Sequence, residues 1–488
     1  MSLPRSTPSA QGLDAAGLRD FVTALESDGL APHSVMVARH GQVVAEGWWH
    51  PYAAERPALV YSLSKTVTAT AVGLLVDEGR LSLDAPVLGF FPEIDSGEVA
   101  PLWADVLVKH CLSMTVGHEV DAWEEVARRA RSSWSGSPDA DADADADGAA
   151  DDGIRHVFAT TPTVAPGTVF TYNQAATYLL SRIVTRVTGV GVVEVLRGRL
   201  LGELGVDDIP WHRDPQGHVL GFSGAHLTTE AILTLAQLYL GRGVLGERRL
   251  LSRQWCDEAT TGFGPTDLRP DVNPDWARGY GYSFWMQKVG YRGDGAYGQF
   301  LVVLPEHDVA LAVTSEQENM QATLDLVWRH LLPAVDRAGS PAADAELAEL
   351  LSSRRLEPAT GGPAEGSDMT LARASDSDLS RRYSGATIRR DGSSWVVDLR
   401  RDEHVLTVHV GAGEWAASTL TSGGYDLPVV ASGGWRDGDT FVADVVVIET
   451  PHRFEVLGRR STGEARLRWR LMPLNGPDPL DLAARRTG

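Results

Sequence analysis

The sequence is poor in cysteine and has no long apolar run. Its 488 residues include only two cysteines, Cys111 and Cys256, too few for a disulfide framework or a cysteine zinc site. The opening segment MSLPRSTPSAQGLDAAGL lacks the apolar stretch of a signal peptide. No apolar run approaches the ~20 residues of a membrane span. We therefore expect a cytoplasmic protein that needs no oxidising compartment and binds no membrane.

Positive charge is also scarce. The chain has 44 Lys and Arg against 65 Asp and Glu, a net charge of −21. Because phosphates repel so acidic a surface, this balance excludes a nucleic-acid partner or an anionic membrane surface. A hydrophobic fraction of 43% and a charged fraction of 22% are typical of globular proteins, and the length suggests two or three domains.

Lysine is nearly absent, since 41 of the 44 basic residues are arginine. The remaining lysines are Lys65, Lys109 and Lys288. Arginine cannot lose its proton in a protein, whereas lysine can. A lysine retained in so arginine-rich a chain is therefore a candidate for proton transfer.

Several common catalytic motifs are missing. There is no G-x-S-x-G, so the nucleophile turn of α/β-hydrolases is excluded. H-E-x-x-H, C-x-x-C and G-x-x-x-x-G-K-[ST] are absent too, and the 14 histidines are scattered. We therefore predict no metal and no cofactor.

The residues that are present predict a mixed α/β chain. Apolar spacing predicts helices over 13–29, 173–188 and 228–241, and an apolar helix that begins with YSLSK (61–65) and ends at Gly79. Residues 34–49 have the pattern of a β-hairpin, and 276–315 is a Trp- and Gly-rich stretch of strand character.

Composition divides the chain into three parts. We predict a catalytic domain over 1–337, a linker over 338–369 and an antiparallel β domain, sandwich or barrel, over 370–488. An Asp-Ala insert at 137–153 is interpreted as a solvated surface loop rather than a calcium loop or an acidic lid. The β domain carries no site signature, so two roles stay open: covering a cleft or mediating a homodimer.

Ser62-Leu63-Ser64-Lys65 stands at the start of the apolar helix. Residues three apart share a helix face, so Ser62 and Lys65 are within reach of each other. A lysine that burial keeps neutral can take the proton of a serine hydroxyl, and a helix N-terminus disfavours the ammonium form. The pattern predicts a serine nucleophile with a lysine base.

Two further segments are candidates for the same site. Tyr172 precedes a helix in Pro166–Gln174 and could relay a proton, or simply pack at the helix entrance. Arg292-Gly293-Asp294-Gly295-Ala296-Tyr297 leads into a strand pair. Glycines there allow a close approach to a ligand, and a backbone N–H could bind an oxyanion.

The order S-x-x-K, tyrosine motif, glycine motif resembles the serine β-lactamase and penicillin-binding-protein superfamily. The segments LVDEGRLSLDAPV and VKHCLSMTVGHEVDAW are similar to its class C and esterase branch, which includes nylon-oligomer hydrolases. The similarity covers roughly residues 15–335. The resemblance implies an antiparallel sheet flanked by helices beside an all-helical lobe, with the serine in the cleft between them.

By this resemblance, Ser62 is the acylated nucleophile, Lys65 activates it and Tyr172 acts as general base or acid. The backbone N–H groups of Ser62 and Ala296 form the oxyanion hole. The predicted substrate-binding residues are His118, Asn173, Gln174, Asp294, Gly295 and Tyr297.

The chain departs from the family pattern in two places. Gln174 stands at the asparagine position of Y-x-N, and Gly293 replaces the cation of K-T-G, beside the acidic Asp294. That cation ordinarily meets a substrate carboxylate. We therefore predict an esterase or amidase for small neutral or cationic substrates. A β-lactamase or D-amino-acid peptidase and a non-catalytic sensor or scaffold are the alternatives.

Overall fold

The computed structural model describes residues 2–95, 97, 99–129, 153–264, 266, 271, 273–362, 368–422 and 425–484. The predicted Asp-Ala insert lies outside the described residues, apart from Gly153. The α-helices are α1 (Ala15–Ser27), α2 (Ser64–Asp77), α3 (Val108–Leu112), α4 (Trp123–Arg129), α5 (Gly153–Phe158), α6 (Gln174–Thr188), α7 (Val192–Leu196), α8 (Gly202–Leu204), α9 (Thr229–Leu240), α10 (Arg253–Ala259), α11 (Met320–Leu326) and α12 (Pro341–Ser352).

The strands fall into two large sheets and two short pairs. The strands of the first part of the chain are β1 (Pro32–Arg39), β2 (Gln42–Trp48), β3 (Ala58–Leu59), β4 (His226–Leu227), β5 (Val244–Leu245), β6 (Arg248–Arg249), β7 (Trp285–Met286), β8 (Tyr291–Gly295), β9 (Gln299–Leu304) and β10 (Val309–Ser315). The strands of the second part are β11 (Met369–Arg373), β12 (Tyr383–Asp391), β13 (Ser394–Arg401), β14 (His404–Val410), β15 (Ala416–Ser422), β16 (Tyr425–Trp435), β17 (Thr440–Val447), β18 (Arg453–Arg459) and β19 (Glu464–Trp469).

The first sheet has the order β2-β1-β10-β9-β8-β7 and is antiparallel throughout. Strands β1, β9 and β10 are buried along their whole length because both faces are covered. Helices α1, α11 and α12 share an apolar core with one face, while α2, α6 and α9 share a core with the other. The predicted fold class, an antiparallel sheet flanked by helices with a helical lobe, is confirmed.

Helix α12 falls within the predicted linker but packs on the first sheet. Its Leu347 and Leu351 are buried in the core that also contains the buried face of α1. Leu351 lies so close to Gly47 of β2 that a Cβ there would come within 2.8 Å of it. We therefore propose that the boundary between the domains lies after Ser352.

The second sheet is a separate C-terminal β domain, as predicted. Its order is β14-β13-β12-β11-β19-β18-β17-β16-β15, antiparallel except for β11 beside β19. Its two outer strands approach each other, since the N–H of His409 donates to Ser418 Oγ at 2.8 Å. The sheet thus curls into a barrel around its own apolar core.

In the part of the chain that the structure describes, no helix is both long enough and apolar enough to traverse a lipid bilayer.

Candidate active site

Ser62 lies in a 3₁₀ turn, Tyr61–Leu63, that leads directly into α2. Leu63 N–H donates to the carbonyl of Val60 at 3.1 Å and closes this turn. Tyr61 has a φ of +45°, a left-handed conformation that is unfavourable for a residue with a side chain. The turn leaves Ser62 half-buried, just before the N-terminus of α2.

Lys65 lies in the first turn of α2 and is 1% exposed. Its Nζ donates to Ser62 Oγ at 3.1 Å and to the carbonyl of Phe222 at 2.9 Å. Burial lowers the pKa of Lys65 to about 7, against the opposing effect of the Asp121 and Asp294 carboxylates. The neutral amine, which can accept a proton, is therefore available near neutral pH.

Tyr172 faces the same pair of side chains. Its hydroxyl interacts with Ser62, which opposes the rise in the tyrosine pKa, and its ring centroid lies 4.6 Å from Lys65 Nζ. The ring stacks on Trp285, with centroids 5.3 Å apart. Burial first, and then the charge of Asp294, raise the pKa of Tyr172 well above its usual value. Its hydroxyl therefore keeps its proton and can donate it.

The end of β8 lies against the turn that contains Ser62. A Cβ on Gly295 would lie 2.0 Å from the Val60 carbonyl oxygen and 3.1 Å from the Leu63 nitrogen. A Cβ on Gly293 would lie 2.6 Å from Thr66 Oγ1. The strand can approach α2 this closely only because these positions carry no side chain. Ala296, which follows Gly295, is thereby placed next to the turn that contains Ser62.

The charged residues of β8 pair with each other. Arg292 Nε donates to Asp294 Oδ2 at 2.9 Å, and Arg292 Nη1 donates to the carbonyls of Asp275 and Met286. Arg292 is 0% exposed. Its guanidinium is therefore not accessible to a substrate carboxylate. Burial raises the pKa of Asp294, against the opposing effect of Arg292.

His118 and Asn173 hold each other. Asn173 Nδ2 lies 3.2 Å from His118 Nδ1, and Asn173 Oδ1 caps α6 by accepting from the N–H of Ala175. His118 Nε2 lies 2.9 Å from Thr160 Oγ1. Burial lowers the pKa of His118 to about 4, so its ring is neutral. These contacts support a positioning role for both side chains, and their binding of substrate stays a prediction.

Gln174 and Tyr297 are half-buried at two sides of the site. The N–H of Gln174 donates to Asp121 Oδ1 at 3.0 Å, while its side-chain Oε1 has no hydrogen-bond partner among the residues that the structure describes. Tyr297 has a φ of +65° and donates from its hydroxyl to the carbonyl of Met472 in the C-terminal domain.

Sequence reasoning missed Phe222, Trp285 and Tyr61. The Phe222 carbonyl accepts a hydrogen bond from Lys65. Its segment contains no catalytic motif, and the one sequence feature that could have indicated it is the pair of glycines that flank Phe222-Ser223. Trp285 belongs to the aromatic stretch that was predicted only as strand. Among the described residues, no group of three or more His, Cys, Asp and Glu side chains is placed to hold a metal ion.

The chain is similar in sequence to several known proteins. The family model described as Beta-lactamase matches residues 19–335. The chain is 29% identical over 299 residues to the 6-aminohexanoate-dimer hydrolase of Paenarthrobacter ureafaciens, covering 57% of this chain and 71% of that protein. It is 29% identical over 219 residues to esterase EstB of Burkholderia gladioli, covering 41% and 53%.

A solved structure shares the fold over most of the molecule. The octameric penicillin-binding protein homologue from Pyrococcus abyssi has a TM-score of 0.50 and 17% identity, covering 89% of this chain and 98% of that chain. The predicted resemblance to the serine β-lactamase and penicillin-binding-protein superfamily is thus confirmed. This chain belongs to the beta-lactamase family.

Proposed function

We propose that this protein is a serine hydrolase that forms an acyl-enzyme on Ser62 and acts as an esterase or amidase on small neutral or cationic substrates. The observation that carries the proposal is the Lys65 amine, which is buried and directed at Ser62 Oγ at 3.1 Å. A buried lysine beside a serine hydroxyl is the arrangement that activates a serine without histidine. A structural lysine would not need that position.

The proposed reaction proceeds in two halves. Neutral Lys65 takes the proton of Ser62 Oγ, which attacks the substrate carbonyl carbon, and the N–H groups of Ser62 and Ala296 bind the oxyanion. Tyr172 donates its proton to the leaving group as the bond to the carbonyl carbon breaks, and regains one from Lys65. Water then attacks the acyl ester, with Lys65 and Tyr172 moving protons in the reverse sense.

Charge near the nucleophile supports the substrate class. The carboxylates of Asp121 and Asp294 both act on Lys65, and the nearby Arg292 is buried against Asp294 and backbone carbonyls. A substrate carboxylate would meet acidic groups here, whereas a neutral or ammonium-bearing substrate would not be repelled. The names of two relatives, 6-aminohexanoate-dimer hydrolase and esterase EstB, support both bond types, because an amide bond joins two aminohexanoates.

Labelling with a fluorophosphonate tests the nucleophile. We expect one adduct, mapped to Ser62 by peptide mass, and none in Ser62→Ala or Lys65→Arg. Lys109→Arg is the matched control, because Lys109 is exposed and pairs with Asp84 at 2.6 Å. An unlabelled wild-type protein would instead favour the sensor or scaffold alternative.

Substrate turnover tests which type of bond is hydrolysed and which substrate charge is preferred. We expect p-nitrophenyl esters with a neutral or ammonium-bearing acyl chain to react at least ~10-fold faster than the matched carboxylate ester. Asp294→Asn should narrow that gap. Faster turnover of nitrocefin or a D-alanyl dipeptide than of any ester would support the β-lactamase or D-amino-acid peptidase alternative.

A further inference from the structure

The C-terminal domain reaches the residue that precedes the nucleophile. Tyr61 is 1% exposed and belongs to the apolar core of that domain rather than to the core of the helical lobe. Its hydroxyl lies 2.5 Å from Nε2 of His452, a residue 391 positions later in the chain. The backbone of Tyr61 is in the left-handed region, with a φ of +45°. Such a conformation persists only where surrounding contacts hold it.

The contacts of His452 determine its tautomer. Its Nδ1 lies 3.1 Å from the carbonyl oxygen of Leu471, which can only accept. Nδ1 therefore carries the proton and Nε2 is the acceptor, so the Tyr61 hydroxyl donates to it. His452 is 0% exposed, and burial lowers its pKa to about 3, which keeps the ring neutral. The Tyr61 hydroxyl is therefore always the donor in this hydrogen bond, and His452 Nε2 is always the acceptor.

The same domain also contacts the other side of the predicted oxyanion hole. Tyr297, which follows Ala296, packs its ring 4.6 Å from the ring of His452 and 5.2 Å from that of Tyr61. The backbone of Leu474 also acts on the Tyr61 hydroxyl and opposes the rise that burial causes in the tyrosine pKa. The residues adjacent to Ser62 and Ala296 are therefore anchored to the C-terminal domain together.

We propose that His452 is a positioning residue for acyl transfer, which holds Tyr61 so that the turn presents the hydroxyl and the N–H of Ser62 to the substrate. The inference rests on the proposed function, because it assumes that Ser62 is the nucleophile. It assigns the C-terminal domain a part in catalysis. Without His452, the backbone of Tyr61 leaves its left-handed conformation, and the N–H groups of Ser62 and Ala296 no longer point at the same oxygen. Preorganised donors lose much of their effect when displaced by small distances.

The experiment compares Tyr61→Phe, His452→Leu, their double mutant and His452→Gln. The probe is a fluorophosphonate, measured as its second-order rate constant for labelling Ser62, with p-nitrophenyl butyrate for kcat and KM. We expect the two single variants to label Ser62 about 10- to 100-fold more slowly. In ester turnover, kcat should fall by a similar factor, with little change in KM. The double mutant should be no slower than the slower single variant, because both remove one bond. His452→Gln, which retains an acceptor, should recover most of the rate.

Tyr383→Phe is the matched control. This variant removes a buried tyrosine hydroxyl that lies within the C-terminal domain and is bonded to Asp478 at 3.0 Å. It should be labelled at the wild-type rate. The positioning role is overturned if Tyr61→Phe labels as fast as Tyr383→Phe, or if the losses of the two single variants simply add. Should His452→Leu not fold, Tyr61→Phe alone decides, since it keeps the packed ring. A wild-type protein that does not label would refute the proposed function instead.

Discussion

At the scale of single residues, the proposed chemistry depends on the environment of one amine. Lys65 is a helix residue by sequence, its burial lowers its pKa, and the Phe222 carbonyl accepts one of its hydrogen bonds. Tyr172 is affected in the opposite sense, because burial makes the tyrosinate unfavourable while making the neutral amine favourable. The two shifts support Lys65 as the resting base and Tyr172 as the donor.

The pH profile of acylation should show this base. Because the pKa of Lys65 is lowered to about 7, we expect the labelling rate to rise about tenfold per pH unit below pH 7 and to level off above it. Lys65→Met should lose the rise and at least ~10²-fold in rate. A wild-type rate that stays flat between pH 5 and 9 would contradict the assignment.

The same shift predicts a stability effect. The pKa of Lys65 is lower in the folded state, so the unfolded state binds more protons between pH 7 and about 10.5, and wild-type stability rises with pH across that window. Replacing Lys65 with methionine should therefore stabilise the protein most at pH 7 and below, by up to about 5 kcal/mol before packing losses. Melting temperatures at pH 6 and pH 9 measure this.

The control for this stability change is Lys109→Met. Lys109 is a surface residue with an exposed partner, Asp84, and exposed ion pairs contribute little. Its replacement should leave the melting temperature nearly constant at both pH values. Equal shifts in both variants would show that the effect is not due to burial.

At the scale of elements, the site is the junction of α2 and β8. Helix α2 is almost entirely buried, which matches its apolar sequence, and it begins at Ser64, within the predicted motif. The helix predicted over 13–29 is found at Ala15–Ser27, and the hairpin predicted over 34–49 is formed by β1 and β2. Such elements are predictable because their periodicity is local.

Glycine at position 295 is required by this junction. Gly295→Ala would place a methyl group 2.0 Å from the Val60 carbonyl oxygen, so β8 or the turn that contains Ser62 must move. We expect a loss of about 3 kcal/mol or more in unfolding free energy, measured by urea denaturation, and a lower labelling rate. Gly89→Ala is the control, since its Cβ would meet no atom within 4 Å; a similar loss there would contradict the steric argument.

At the scale of the whole molecule, the two domains share an ion cluster around one buried carboxyl group, as well as the Tyr61 contact. Glu316, just after β10, is 1% exposed at its side chain and lies 3.3 Å from Arg453 and 3.5 Å from Arg470 of the C-terminal domain. Burial raises the pKa of Glu316 to about 7 despite these two arginines. The junction thus contains a carboxyl group whose ionisation is costly.

This junction predicts a pH effect of its own. The folded state holds the Glu316 proton up to about pH 7, so stability should fall as pH rises from 4.5 to 7, by at most about 3 kcal/mol. Glu316→Gln should flatten that slope, as followed by urea denaturation at pH 5 and pH 7. The control is Glu455→Gln, which removes an exposed partner of Arg436. An unchanged slope in Glu316→Gln would contradict the prediction.

Other predictions at this scale stay open. The homodimer and the cytoplasmic location remain predictions from the sequence, and the domain boundary after Ser352 is a proposal from the packing of α12. Of the two roles considered for the C-terminal domain, its contacts with Tyr61 and Tyr297 favour covering the cleft. Sequence could not show these contacts, because His452 belongs to no recognisable motif and its partner is 391 positions away.

By itself, the sequence determined the features that depend on neighbouring positions. These are the pairing of Ser62 with Lys65 on one helix turn, the glycines that let β8 approach, and the alternating strands of the C-terminal domain. Only the tertiary structure decided the rest. Burial sets the charge of Lys65, a carbonyl 157 positions away accepts a hydrogen bond from its amine, and a histidine from the other domain holds the residue before Ser62. Dielectric surroundings and long-range contacts arise when distant segments pack, and no local pattern encodes them.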